Sequence, residues 1–412
     1  MSRLLVIMGS GETAPTMVKP HRAIFERVGD APAVLVDTPY GFQENADDIS
    51  ARAVGYFAAS VGRQVDVVTW RVALPPGLAR ERALAGLRDA GWIFAGPGSP
   101  TFALRQWRDT PLPGMLAQRL EAGAVVVVFA SAAAVTLGSH AIPVYEIYKA
   151  GFEPHWEPGL DLVRQLTGLP AVVIPHYNNA EGGHHDTRFC YLGERRLSTM
   201  EQELPADSFI LGVDEHTALI MDLDTRSASV LGNGTVTVRR QGSSRVYPSG
   251  TTLDFDQLAT GVAAEAPATD PGTTEAPSST VDSGGSLRAD TDRLAEVFTA
   301  AYEARDVDGC VAAILDLEQV QVDWSADTDI SDEGEHARAT LRSMVVRLGE
   351  LAEVGARDPR EVLGPFVQTL LTLRGRARDG RDFATADTIR DRLAAAGVEV
   401  RDTTQGVEWD LR

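Results

Sequence analysis

A serine and a histidine in this 412-residue chain each stand at the end of a buried apolar run, a placement suited to nucleophilic acyl transfer. Ser131 comes after Val125–Val128, Phe129 and Ala130, and before Ala132, Ala133 and Ala134. Four consecutive β-branched residues read as a strand buried on both faces, and the small residues beyond suit a helix start. A hydroxyl at such a turn is lifted clear of the sheet, and the next backbone N–H can face a developing oxyanion. The positions two residues either side, usually glycine in this layout, hold Phe129 and Ala133. A core strand entering an apolar helix with an incidental serine is therefore the competing reading. A membrane span is rejected, because Ser131, Thr136 and Ser139 interrupt a run already short of ~20 residues.

The histidine belongs to a second buried run, Ala171–Ile174, which leads into PHYNNAEGGHHDTR at 175–188. Three histidines here suggest either a catalytic base or a metal. His184 and His185 are adjacent and lack the i, i+4 spacing of common zinc motifs, so no metal is expected. His176 is the better base, since it ends its strand as Ser131 does. A third segment, GPGSPTFAL at 96–104, follows a further short strand, and Gly98 there could present its N–H without a side chain in the way. Ligands of open α/β sheets sit at the carboxyl ends of strands, so the three segments could share one crevice. Alternatively, glycine and proline merely cap a strand.

The elements that would position these residues alternate between strand and helix. Short strands are expected at Leu4–Met8, Ala33–Val36, Val65–Val68 and Gly91–Ala95, with helices at Pro15–Val28 and Leu78–Ala90. That order implies right-handed crossovers and a mostly parallel sheet. Gly9-Ser10-Gly11-Glu12 is neither a phosphate-binding P-loop nor a complete dinucleotide fingerprint, and no cofactor is expected. Gly212–Ile220 and Ala228–Arg239 read as terminal β structure, with a hairpin-type turn signal at Gly232-Asn233-Gly234.

The net charge of −20 disfavours non-specific attraction to nucleic acid or anionic membrane. Cys190 and Cys310 are too far apart in sequence to suggest a metal cluster or disulfide framework. Leu4–Met8 is too short an apolar run for a signal peptide, so a reduced cytoplasm is the default location.

Together the segments within roughly Arg3–Arg240 resemble the dipeptidase E and cyanophycinase family of serine peptidases, whose fold is of the class I glutamine amidotransferase type. PHYNNAEGGHHDTR carries the resemblance most specifically, supported by GPGSPTFAL and by GVDEHTAL at 212–219. The resemblance implies Ser131 as nucleophile and His176 as base. It implies Glu146 as the acid, as in dipeptidase E, with Glu215, the cyanophycinase type, as the alternative. The N–H groups of Gly98 and Ala132 would be the oxyanion donors, and a small peptide or amide the substrate. A catalytically inactive scaffold is the rival expectation.

From 262 to 286 the chain is rich in alanine, proline, threonine and serine without apolar periodicity, which predicts a flexible tether between domains 1–261 and 287–412. Beyond it, apolar stripes such as Leu341, Met344, Val345 and Leu348 predict a helical bundle. The tail from about Arg374 to Leu411 resembles the C-terminal end of cysteinyl-tRNA synthetases, through DFATAD at 382–387 and DTTQGVEW at 402–409. This implies anticodon stem-loop binding, with Arg378, Phe383 and Asp387 at the reading positions. The synthetase's own catalytic signatures and zinc cysteines are lacking, so a synthetase is not expected. Between 291 and 412, 15 arginines face 25 acidic residues, a balance of −10 that opposes RNA unless the arginines cluster. A helical module that binds protein, or nothing, is the alternative. The oligomeric state is not legible.

Overall fold

The computed structural model describes residues 2–123, 125–180, 185–260, 286–325, 333–355, 359–403 and 406–411. Apart from Ser286, the segment 262–286 lies outside the described residues. The first part of the chain runs β1 (Leu4–Met8), α1 (Val18–Val28), β2 (Ala33–Val36), α2 (Ala46–Tyr56), β3 (Asp66–Val68), α3 (Leu78–Asp89) and β4 (Trp92–Ala95). There follow α4 (Pro100–Trp107), α5 (Leu112–Ala122), β5 (Val126–Ala130), α6 (Ser131–Val135), β6 (His140–Ala141), α7 (Val144–Tyr148), β7 (Glu157–Pro158), α8 (Leu162–Thr167) and β8 (Ala171–Ile174). Next come α9 (Gly193–Glu201), β9 (Phe209–Val213), β10 (Thr217–Asp222), β11 (Ser227–Gly232), β12 (Thr235–Arg240), β13 (Ser243–Pro248), β14 (Thr252–Asp254) and α10 (Phe255–Thr260).

The main sheet has the order β14-β11-β10-β1-β5-β4-β2-β3. From β1 through β5, β4 and β2 to β3 every pairing is parallel, while β10, β11 and β14 extend the sheet antiparallel. Helices cover both faces, which is why β1 and β5 are continuous apolar runs. Leu5, Ile7, Val127 and Phe129 enter one core, and Leu4, Val6, Val126 and Val128 the other. Each such side chain, fully buried, contributes about 1.5–3 kcal/mol. β5 lies between β1 and β4, so the ends of β4 and β5 place the Gly96–Gly98 loop beside Ser131.

A second sheet, β13-β12-β9-β8, carries the histidine strand. β8 and β9 are parallel neighbours in the register Val173↔Leu211 and Ile174↔Gly212, so their carboxyl ends lie level. The stretch Gly212–Ile220, read from sequence as one β segment, is two strands: β9 ends at Val213 in the second sheet, and β10 starts at Thr217 in the main one. Asp214–His216 is the corner between them. β11 and β12 likewise divide between the two sheets at Gly232-Asn233-Gly234 instead of pairing as a hairpin.

The remaining elements are α11 (Leu287–Glu303), α12 (Val307–Asp323), α13 (Glu333–Gly355), α14 (Pro359–Asp379), α15 (Phe383–Ala395), β15 (Val398–Thr403) and β16 (Gly406–Leu411). The chain divides into two compact units, Met1–Asp292 with Leu317–Arg338, and Arg293–Asp316 with Ala339–Arg412. In the second unit Val367 and Leu371 of α14 pack with Leu393 of α15 and Val398 of β15, and Trp409 lies against this core. No described helix is long and apolar enough to cross a membrane.

Candidate active site

Ser131 is the first residue of α6 and takes φ 48°, in the left-handed region that β-carbon sterics disfavour for all but glycine. The turn is forced by its surroundings. Before it, Phe129 is locked in β5 between Ile7 and Ala95, with its ring tilted on Trp107 at 5.5 Å. After it, Ala133 is fully buried and donates its N–H to the Gly96 carbonyl at 3.2 Å. The residues at the usual glycine positions therefore hold the serine in the elbow conformation. Ala132 N–H lies in the first turn of α6, where backbone donors have no intrahelical acceptor.

Ser131 Oγ lies 2.9 Å from His176 Nε2, and His176 Nδ1 lies 3.0 Å from Glu215 Oε1. An ionised carboxylate only accepts, so Nδ1 carries the ring proton and Nε2 is left to accept from the serine hydroxyl. Like Ser131, His176 takes φ 48°. Its carbonyl accepts from Cys190 N at 3.1 Å, and Tyr177 N donates to Val213 O at 3.2 Å, tying the turn after β8 to the end of β9. Gly212 of β9 serves this contact, since a β-carbon there would meet the Tyr177 ring at 2.3 Å.

Of the two acids expected from sequence, it is Glu215, the alternative, and not the preferred Glu146 that bonds the imidazole. Glu146 sits on α7 and accepts from Thr101 Oγ1 of α4 at 3.1 Å. Glu215 reaches the imidazole because β8 and β9 end level: His176 is two residues past β8, and Glu215 two residues past β9. The neighbouring asparagines, to which the sequence motif assigns no role, hold that glutamate. Asn178 Oδ1 accepts from Glu215 N at 2.8 Å, and Asn179 Nδ2 donates to Glu215 Oε1 at 3.0 Å. The sequence signal was there: both residues follow His176 within three positions.

Burial pushes the Glu215 carboxyl up, but the hydrogen bonds from His176 and Asn179, with the His176 charge, bring it below the ordinary value. Glu215 is thus ionised at neutral pH. Burial pushes the Cys190 thiol up to about 12, with the Glu215 charge adding to it, so no thiolate competes as nucleophile. Gly98 takes φ 134°, and a β-carbon there would stand 2.1 Å from Pro39 O. Ser99 accepts from Phe102 N at 3.1 Å and caps α4. No group of three or more potential metal ligands is found among the described residues, and His184 lies outside them.

The three residues expected to read RNA are placed differently. Phe383 begins α15 and is 60% exposed, with Asp382 capping the helix through Thr385 N at 3.1 Å. Asp387, one helical turn on, pairs with Arg390 at 3.6 Å. Arg378 is bound at 2.8 Å to Asp402, which also receives both nitrogens of the buried Arg374 at 2.8 and 2.7 Å. These bonds hold the Asp402 carboxyl well below its usual range.

A family model described as the cysteinyl-tRNA ligase anticodon binding domain matches residues 360–409. The cysteine–tRNA ligase of Chlorobium luteolum is 46% identical over 63 residues, 15% of this chain and 13% of that protein. That of Nitratidesulfovibrio vulgaris is 51% identical over 65 residues, again 15% and 13%. The chain thus spans 13% of the length of these curated relatives. Among solved structures, a peptidase from an acI-B1 Actinobacterium superposes with a TM-score of 0.50 at 20% identity, covering 62% of this chain and 98% of that one. This likeness is one of fold.

Proposed function

We propose that the N-terminal part of this protein is a serine hydrolase of small peptides or amides, working by acyl transfer through Ser131, His176 and Glu215. The observation that carries this is the continuous relay from Ser131 Oγ through both imidazole nitrogens to Glu215, launched from a strained left-handed serine. Ser131 Oγ attacks the carbonyl carbon while its proton passes to His176 Nε2, and Glu215 stabilises the imidazolium. The N–H groups of Gly98 and Ala132 are assigned to the oxyanion. Collapse of the tetrahedral adduct returns the proton from Nε2 to the leaving amine and leaves an acyl-serine. Water, deprotonated by His176, then releases the acid and regenerates the hydroxyl.

We assign the C-terminal module to tRNA anticodon recognition, on the family match over 360–409 and the exposed Phe383 ring. In this account the hydrolase is directed to a tRNA or to its aminoacyl or peptidyl adduct. The hydrolase is tested by following amine release from a panel of dipeptides and aminoacyl amides. Wild type is expected to turn over, and Ser131→Ala to lose about 10⁴-fold or more in kcat. Equal rates for the two proteins would assign the chemistry elsewhere, and no turnover by either would favour the scaffold.

A further inference from the structure

The relay leaves one close neighbour of the carboxylate without a role. Asn179 is fully buried, and its Nδ2 donates at 3.0 Å to the same Glu215 Oε1 that receives His176 Nδ1. Its backbone N–H donates to the His176 carbonyl at 3.2 Å, so the asparagine is tied to the base as well as to the acid. Asn178, beside it, accepts from the Glu215 backbone N–H at 2.8 Å. One tight turn thus carries the imidazole, holds the acid's backbone and clamps its carboxylate.

We infer that Asn179 is a positioning residue for the proposed hydrolase: its carboxamide pins Oε1 of Glu215 so that the carboxylate meets His176 Nδ1 in one fixed orientation. This rests on Ser131, His176 and Glu215 acting as an acyl-transfer triad. A carboxylate with a single donor can swing about its Cγ–Cδ bond, and each swing lets the imidazole turn away from Ser131 Oγ. The second donor removes that freedom and spreads the charge on Oε1, which tempers how tightly Glu215 holds the imidazolium proton. Besides His176 and Asn179, the charge of Glu215 is felt by Asp214 and His216 on its own corner and by Cys190 opposite. Of these, only His176 and Asn179 donate to the carboxylate among the described bonds.

The test uses the full chain with Asn179→Ala and the similarly branched Asn179→Leu, which keeps the shape and removes the donor without adding a charge. Two readouts are taken: the pH profile of phosphonylation by a fluorophosphonate probe, and the low-field proton resonance of the His176 Nδ1–H. Both variants are expected to react about ten- to a hundredfold more slowly at saturating probe. The probe concentration giving half-maximal rate should stay unchanged. The acid limb of the profile should move to higher pH, because a less stabilised carboxylate holds the imidazolium proton harder. The Nδ1–H resonance should shift in both variants, with circular dichroism unaltered in Asn179→Leu. A loosened fold alone would slow the reaction without moving the limb. If the limb and the resonance both stay at their wild-type values, the positioning role is overturned. If wild type itself fails to react, the hydrolase assignment falls, and the resonance in Asn179→Leu still decides whether the asparagine orients the pair.

Discussion

At Ser131 the left-handed backbone, φ 48°, costs of order 1–3 kcal/mol that a serine serving only to fill the core has no reason to bear. Ser131→Gly should therefore be at least as stable as wild type in urea denaturation while losing hydrolysis. A clear destabilisation would mean that the hydroxyl, and not the turn, is what the fold needs. The two candidate acids separate by the same logic. Glu215→Gln keeps the size but replaces the acceptor facing Nδ1–H, and should lower kcat by about 10³–10⁴-fold, as when such an orienting acid is neutralised. Glu146→Gln, at a carboxylate bonded to Thr101, should change it by less than about tenfold. The sign of the pH effect follows from the carboxyl lying below its ordinary value. Ionised Glu215 contributes stability that is present at neutral pH and is lost as the pH falls through its folded-state value. Thermal melts of wild type should accordingly fall more steeply with acid than those of Glu215→Gln.

The elements show why some of this was legible in sequence and some was not. Val125–Val128 announced a central strand because both faces of β5 are covered, and the strand-end placement of Ser131 and His176 was legible because each stands within two residues of such a run. The choice between Glu146 and Glu215 was not, because no loop length states which strand ends meet. Only the parallel register of β8 on β9, Ile174 opposite Gly212, brings Glu215 level with His176. Taking Gly212–Ile220 together as β structure left out the corner, Asp214–His216, that turns this glutamate toward the imidazole. Gly98 was read for its free N–H, whereas the structure adds a packing demand. Gly98→Ala, with a β-carbon 2.1 Å from Pro39 O and φ 134°, should destabilise by about 2 kcal/mol or more in urea denaturation. In the C-terminal unit, Leu371→Ala should cost about 2–5 kcal/mol because Leu371 belongs to the α14–α15 core. The exposed Phe383→Ala should stay within about 0.5 kcal/mol of wild type. Reversal of that order would make Phe383 a core residue and end its case as a base reader.

On the scale of the whole molecule, a net charge of −20 sets how RNA would be held. Arg374 and Arg378 are committed to Asp402, and Arg360 to Asp410, which leaves fewer cations for phosphate than the arginine count of the tail suggests. Binding of a labelled tRNA anticodon stem-loop to the full chain should therefore be weak and only shallowly dependent on salt. Base stacking should carry much of it, so Phe383→Ala should weaken binding by about ten- to a hundredfold in fluorescence anisotropy. A steep salt dependence that Phe383→Ala leaves untouched would instead indicate phosphate contacts from other arginines.

The central claim, that Ser131 is a nucleophile driven by His176, is tested most directly by intact-mass analysis after exposure to a fluorophosphonate. Wild type should gain a single adduct that maps to Ser131, and Ser131→Ala and His176→Ala should gain none. An unmodified wild type, or an adduct that persists in Ser131→Ala, would contradict it.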